Sequence, residues 1–111
     1  MRRNQDSDDI KELAPLLNAL SADPKTVRYY KELVKPLRTY DQEHFGDLTK
    51  TLATYLNNSR NATRTADALF IHRNSLRYRL QRIKMLVSLD PDDSGEGLAL
   101  QIALLLSGED E

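Results

Sequence analysis

A chain of 111 residues, 40% hydrophobic and dominated by Leu, Ala, Lys, Arg and Glu with valine only at Val27, Val34 and Val87, can bury one modest core and reads as all-α. It has no cysteine and so no disulfide or thiolate zinc site, its start (MRRNQDSDD) lacks the apolar stretch of a secretory signal, and its longest apolar run, Leu98 to Leu106 broken by Gln101, falls short of the roughly 20 residues that span a bilayer. These features predict a cytoplasmic protein with no membrane partner, and the net charge of −1 decides nothing until it is divided along the chain.

The pattern predicts a compact helical bundle of about six to seven helices. Residues 8–20 open with acids suited to a helix N-terminus and carry Leu13, Leu16, Leu17 and Leu20 at helical spacing, with Pro15 making the helix start late or kink. Asp23-Pro24 then opens a helix through about Lys35, Asp23 as cap and Pro24 in the first turn. Val27, Tyr30 and Val34 line its apolar side, Pro36 is expected to end it, and Leu37 to Tyr40 to add one more turn. A further helix is expected from about His44 to Asn57, burying Leu48, Leu52, Tyr55 and Leu56, before a polar loop, Asn57 to Asn61. Tyr29, Tyr30, Tyr40 and Tyr55 are expected in or at the edge of the core. Residues 1–23 read as an N-terminal extension with a first helix, and 24–111 as the main domain.

The run from Asn61 to Leu86 carries most of the functional information. Asn61 or Thr63 can cap a short helix ending near Leu69, with Ala66, Leu69 and Phe70 turned inward. Phe70-Ile71-His72 makes a turn, and a longer helix runs from about Arg73 to Val87. Its Leu76, Leu80, Ile83 and Val87 are spaced four, three and four apart and form one core-facing stripe. Asn74, Tyr78, Gln81 and Met85 then point away, Ser75 and Arg77 lie on the shoulders, and Arg79, about 60° from the stripe on a helix of 3.6 residues per turn, suits a structural ion pair or a phosphate. This is the layout of a helix-turn-helix that places its second helix in a DNA major groove. Arginine can donate two hydrogen bonds to guanine, asparagine can pair with adenine, and hydroxyls reach phosphates or bases.

Charge supports the reading. Seven basic residues against one acid give Arg60 to Lys84 a local charge of +6, while the remainder carries −7. A basic run alone usually means a solvated helix face, so the weight rests on its coincidence with the two-helix layout.

TADALFIHRNSLRYRLQRI resembles the C-terminal helix-turn-helix of the PucR/CdaR class of bacterial transcription regulators, whose hallmark is close to A-x-x-L-x-x-H-R-N-T-L-x-Y-R-L-x-R-I. The matching positions are Ala66, Leu69, His72, Arg73, Asn74, Ser75, Leu76, Tyr78, Arg79, Leu80, Arg82 and Ile83. VKPLRTYD, LTKTLATYLNN and LALQIALLL extend the likeness over roughly residues 16 to 106. Ser75 stands where Thr is commoner, and Phe70 occupies a turn position where many bacterial helix-turn-helix proteins carry Gly. A looser likeness to the DNA-binding end of the factor for inversion stimulation, N-x-T-R followed by I-N-R-x-T-L-R, points to the same surface. Together these imply sequence-specific binding of double-stranded DNA through Thr63, Arg64, His72, Arg73, Asn74, Ser75, Arg77, Tyr78 and Arg82. The resemblance also implies an upstream sensory region in the full-length regulator, which residues 1–23 do not supply.

Other chemistry is weakly signalled. His44 and His72 are the only histidines and make no metal site without cysteine, and Asp92-Asp93-Ser94 with Glu96 lacks calcium-loop spacing and suits a helix cap. No phosphate loop or nucleophile with a base appears, so no cofactor and no enzymatic activity are expected. Leu98, Leu100, Ile102, Leu104, Leu105 and Leu106 surround more of the last helix than one buried stripe needs, so it is either the central helix of the domain or in part an interface; a homodimer is favoured, with the upstream region as the alternative partner. The alternatives are a helical protein-interaction or dimerisation module with a basic surface and, more remotely, a structure-specific RNA binder, for which no aromatic stacking platform is visible.

Overall fold

The computed structural model describes residues 14–107, and these form six helical segments joined by short turns. The first, α1, is described over 14–21; Leu13 and the start of this helix lie outside the described residues. Leu16 is largely exposed, so the leucines here do not form a continuous buried stripe.

Helix α2 spans Pro24–His44. Asp23 starts it as expected, accepting from the Lys25 amide at 3.1 Å and from the Thr26 hydroxyl at 2.9 Å, with Pro24 in the first turn. Pro36 does not end it: the helix runs through the proline for two more turns. Proline inside a helix forfeits one backbone hydrogen bond and crowds the preceding turn, at a cost of about 3 kcal/mol. Here Val34 and Leu37, on either side of it, are both fully buried in the core, and their packing offsets that cost.

The boundary between α2 and α3 also differs from the expected start near His44. His44 closes α2, Phe45 adopts a left-handed conformation (φ 53°), and α3 spans Leu48–Asn57. The determinant is Asp41. Its carboxylate accepts from the amides of Leu48 at 2.8 Å and Thr49 at 3.0 Å, capping α3 from the last turn of the preceding helix. Leu48, Thr51, Leu52 and Tyr55 are buried, while Leu56 packs at the core edge. Helices α4 (Ala62–Leu69), α5 (Arg73–Val87) and α6 (Ser94–Ser107) complete the chain.

The core joins Val34 and Leu37 of α2, Leu48 and Leu52 of α3, Ile83 and Val87 of α5, and Leu100 and Ala103 of α6. Helix α2 packs most extensively against α6 and also touches α3 and α5, while α4 packs against α3 and α5. Tyr30 and Tyr40 edge this core and Tyr55 is buried, but Tyr29 is 61% exposed, its ring meeting that of Tyr30 edge-on at 5.1 Å. On α6, Leu100, Ile102 and Ala103 are buried; the apolar surplus reduces to Leu98 and Leu105, which remain exposed. The acidic turn before it is a cap: Asp93 Oδ2 accepts from the Glu96 amide at 2.9 Å, and Glu96 reaches back to the Asp90 amide at 2.7 Å.

Candidate nucleic-acid interface

Helix α4 begins at Asn61, whose side chain accepts from the Arg64 amide at 2.9 Å, so Asn61 and not Thr63 is the cap. Thr65 and Ala66 face inward, and Ala66, 2% exposed, permits close approach of a neighbouring helix. Phe70, expected inward, is 93% exposed. It takes the left-handed conformation (φ 58°) that ends α4, with the Ile71 amide donating back to the Ala66 carbonyl at 3.0 Å. A side chain carried on that backbone turn points to solvent, which is why inward periodicity stops at Leu69.

His72 then caps α5, its Nδ1 accepting from the Asn74 amide at 3.0 Å. That bond leaves Nε2 as the outward-facing donor. Leu76, Ile83 and Val87 are buried and Leu80 packs at the core edge, as the spacing predicts. Asn74, Tyr78, Gln81 and Met85 are exposed on the opposite side, with Ser75 and Arg77 between. Thr63 and Arg64, at the start of α4, are exposed as well. The chain thus brings His72, Arg73, Asn74, Ser75, Arg77 and Tyr78 onto the N-terminal half of one helix.

The basic segment divides by role. Arg60 donates to the main-chain carbonyls of Asp92, at 3.2 Å, and Pro91, fastening the α3–α4 turn to the α5–α6 loop. Arg79 Nη1 donates to Thr51 Oγ1 at 3.1 Å, and Thr51 is fully buried, so Arg79 is a brace between α5 and α3. Among the described residues its partner is a hydroxyl and not the carboxylate of an ion pair. Lys84 lies 3.5 Å from Asp90 on the surface. The guanidinium groups of Arg64, Arg73 and Arg77 are exposed and engage no partner among the described residues.

Arg82 is intermediate. Its guanidinium lies over the rings of Tyr40, at 5.7 Å, and Tyr78, at 5.3 Å, and donates to the Tyr78 hydroxyl. Tyr40 in turn stacks on His44 at 4.3 Å. This column links α2 to the outward face of α5 and was invisible in the sequence, because it joins residues more than thirty positions apart. Between α3 and the α5–α6 loop the Tyr55 hydroxyl donates to Asp92 at 2.6 Å. Burial, and then that hydrogen bond, push the Tyr55 phenol up to about 12.

Among the described residues no group of three or more His, Asp or Glu is placed to hold a metal ion, and no helix is long and apolar enough to cross a membrane. A capped short helix, a three-residue turn and a longer helix with a polar outer face and a buried inner stripe define a helix-turn-helix domain.

The chain belongs to the PucR C-terminal helix-turn-helix domain family, whose model matches residues 48–106. It is 39% identical over 98 residues to the carbohydrate diacid regulator of Escherichia coli, covering 87% of this chain and 24% of that protein. It is 31% identical over 90 residues to the proline-responsive transcriptional activator PutR of Bacillus subtilis, covering 81% of this chain and 22% of the relative. A second Bacillus subtilis protein, the DNA-binding transcriptional activator AdeR, is 30% identical over 74 residues, covering 67% of this chain and 18% of the relative. The chain therefore spans about a quarter or less of the length of these relatives. No solved structure matches it.

Proposed function

We propose that this domain binds duplex DNA sequence-specifically as the helix-turn-helix module of a bacterial transcriptional regulator, with α5 as recognition helix. Arg73, Asn74 and Arg77 read base edges from the N-terminal half of α5. Thr63, Arg64, His72, Ser75 and Tyr78 take phosphates or neighbouring edges, and Arg82 contributes from behind Tyr78. The observation that carries the reading is the set of exposed, unengaged guanidinium groups at Arg64, Arg73 and Arg77 on the two helices of the motif. Cations held at a surface with no internal partner present their charge to a polyanion.

Two further features belong to the same reading. Leu98 and Leu105, seven residues apart on α6, would meet their counterparts in a second copy and present two recognition helices to a palindromic site. The sensory function would lie upstream, in the part of the regulator that corresponds to the remaining length of the relatives, and cytoplasmic placement follows from a DNA target.

Titration of the purified domain against duplex DNA over a range of salt tests the proposal. Binding should weaken log-linearly with salt, with a slope of about −0.9 per phosphate neutralised. No binding at low salt refutes it, and a shallow slope favours the alternative of an acidic protein partner on the basic surface.

A further inference from the structure

The outward face of α5 forms one wall of an open groove of about 540 Å³, and the other wall is the α2–α3 turn. Asn74, Ser75, Tyr78 and Arg82 line the first; Phe45 and Asp47 line the second. Phe45 combines two unfavourable features. It is 98% exposed, and its backbone is left-handed (φ 53°), a conformation that a side chain with a Cβ adopts only against steric resistance. A glycine would satisfy the turn without strain and without placing a phenyl ring in water.

The turn is nevertheless built to hold that ring in place. The amides of Phe45 and Gly46 both donate to the Asp41 carbonyl, while the Asp41 carboxylate binds the first amides of α3. A Cβ at Gly46 would meet Asp41 Oδ1 at 3.1 Å and the Tyr40 ring at 3.2 Å, so the turn closes tightly over both. Tyr40 is itself the ring beneath Arg82. The presented phenyl, the turn and the column supporting Tyr78 therefore form one continuous unit.

We infer that Phe45 is a second DNA-contacting element, laying its ring on a deoxyribose of the strand that flanks the major groove entered by α5. This rests on the DNA-binding reading above. The occupant follows from continuity and charge: a strand beside Ser75 and Tyr78 passes through this groove, its phosphates toward Arg82 and the hydroxyls. Asp47 repels phosphate on the opposite wall, which leaves the apolar sugar edge for Phe45. Because the turn is held before binding, the contact orders little that was free.

Phe45→Gly and Phe45→Tyr test the inference, with a short duplex recovered by selection on the parent domain as probe. Phe45→Gly should melt at or above the temperature of the parent, since strain is relieved and no packing is lost. Its Kd should rise about tenfold, the loss of one apolar contact, with the salt slope unchanged. Phe45→Tyr should bind within about twofold of the parent, because the ring face is kept. Parent-like affinity of Phe45→Gly while Arg77→Ala is weakened overturns this inference alone and leaves the DNA-binding reading standing. A lower melting temperature or an altered salt slope in Phe45→Gly overturns it too. Failure of the parent to bind any duplex removes the DNA-binding reading, and this inference with it.

Discussion

Four arginines on one helix, at positions 73, 77, 79 and 82, are indistinguishable by charge but occupy different physical settings, and alanine substitution should separate them. Arg73 and Arg77 are exposed and touch no partner among the described residues, so removing either should change stability by no more than about 0.5 kcal/mol. Arg79 is half-buried and donates to the fully buried Thr51 hydroxyl at 3.1 Å. A hydrogen bond from a charged donor is worth about 1.5 to 3 kcal/mol. The lower end applies here, because Thr51 keeps its own donation to the Asp47 carbonyl at 2.7 Å when the arginine is gone. The half-buried Arg79 side chain adds packing, so Arg79→Ala should cost about 2 kcal/mol. Arg82 stacks over two partly exposed rings, and cation–π contacts of that kind contribute about 0.5 to 1 kcal/mol each, placing Arg82→Ala near 1 kcal/mol.

The effects on DNA should run in a different order. Loss of a base-reading arginine costs about 1 to 3 kcal/mol of specific affinity, so Arg73→Ala and Arg77→Ala should bind a selected site at least several-fold more weakly while folding normally. Arg79→Ala should lose stability first and retain affinity at temperatures where it is folded. Urea unfolding followed by far-ultraviolet circular dichroism gives one axis, and fluorescence anisotropy with a labelled duplex gives the other. The assignment is refuted if Arg73→Ala and Arg77→Ala destabilise as much as Arg79→Ala, or if both keep parental affinity for the selected site.

The Tyr55 phenol, pushed up to about 12 from 10.0, stays protonated in the fold at a pH where the unfolded chain has lost that proton. Its contribution is therefore complete below pH 10 and declines as pH rises toward 12, by about 1 to 2 kcal/mol after solvent screening at the exposed Asp92, so alkaline denaturation should be shallower in Tyr55→Phe than in the parent; parallel curves would sink the argument. The α6 surface predicts a dimer in sedimentation equilibrium that Leu98→Glu with Leu105→Glu converts to a 12.7 kDa monomer, and a parent already monomeric at micromolar concentration would rule that interface out.

What could be read before folding, and what could not, follows the range of the interactions involved. Helices α4 and α5 were legible because their determinants are local: Asn61 and His72 cap within three residues, and the spacing of Leu76, Leu80, Ile83 and Val87 states which side is buried. The exposed positions of the candidate site followed from the same wheel. The α2–α3 boundary was not legible, because its cap, Asp41, acts on amides seven and eight residues away and lies in a helix instead of before one. Pro36 misled for a related reason. Its penalty is local, but the packing of Val34 and Leu37 that outweighs it is formed with other helices. Phe45 and Phe70 were hardest, since hydrophobicity argues for burial and only the backbone shows that each sits on a left-handed turn with its ring in solvent. Both residues lie at a helix end, but the sequence predicts only Phe70 inward. Burial explains the residues that periodicity could place, whereas a ring carried on a left-handed turn at a helix end is placed by its backbone and not by its hydrophobicity.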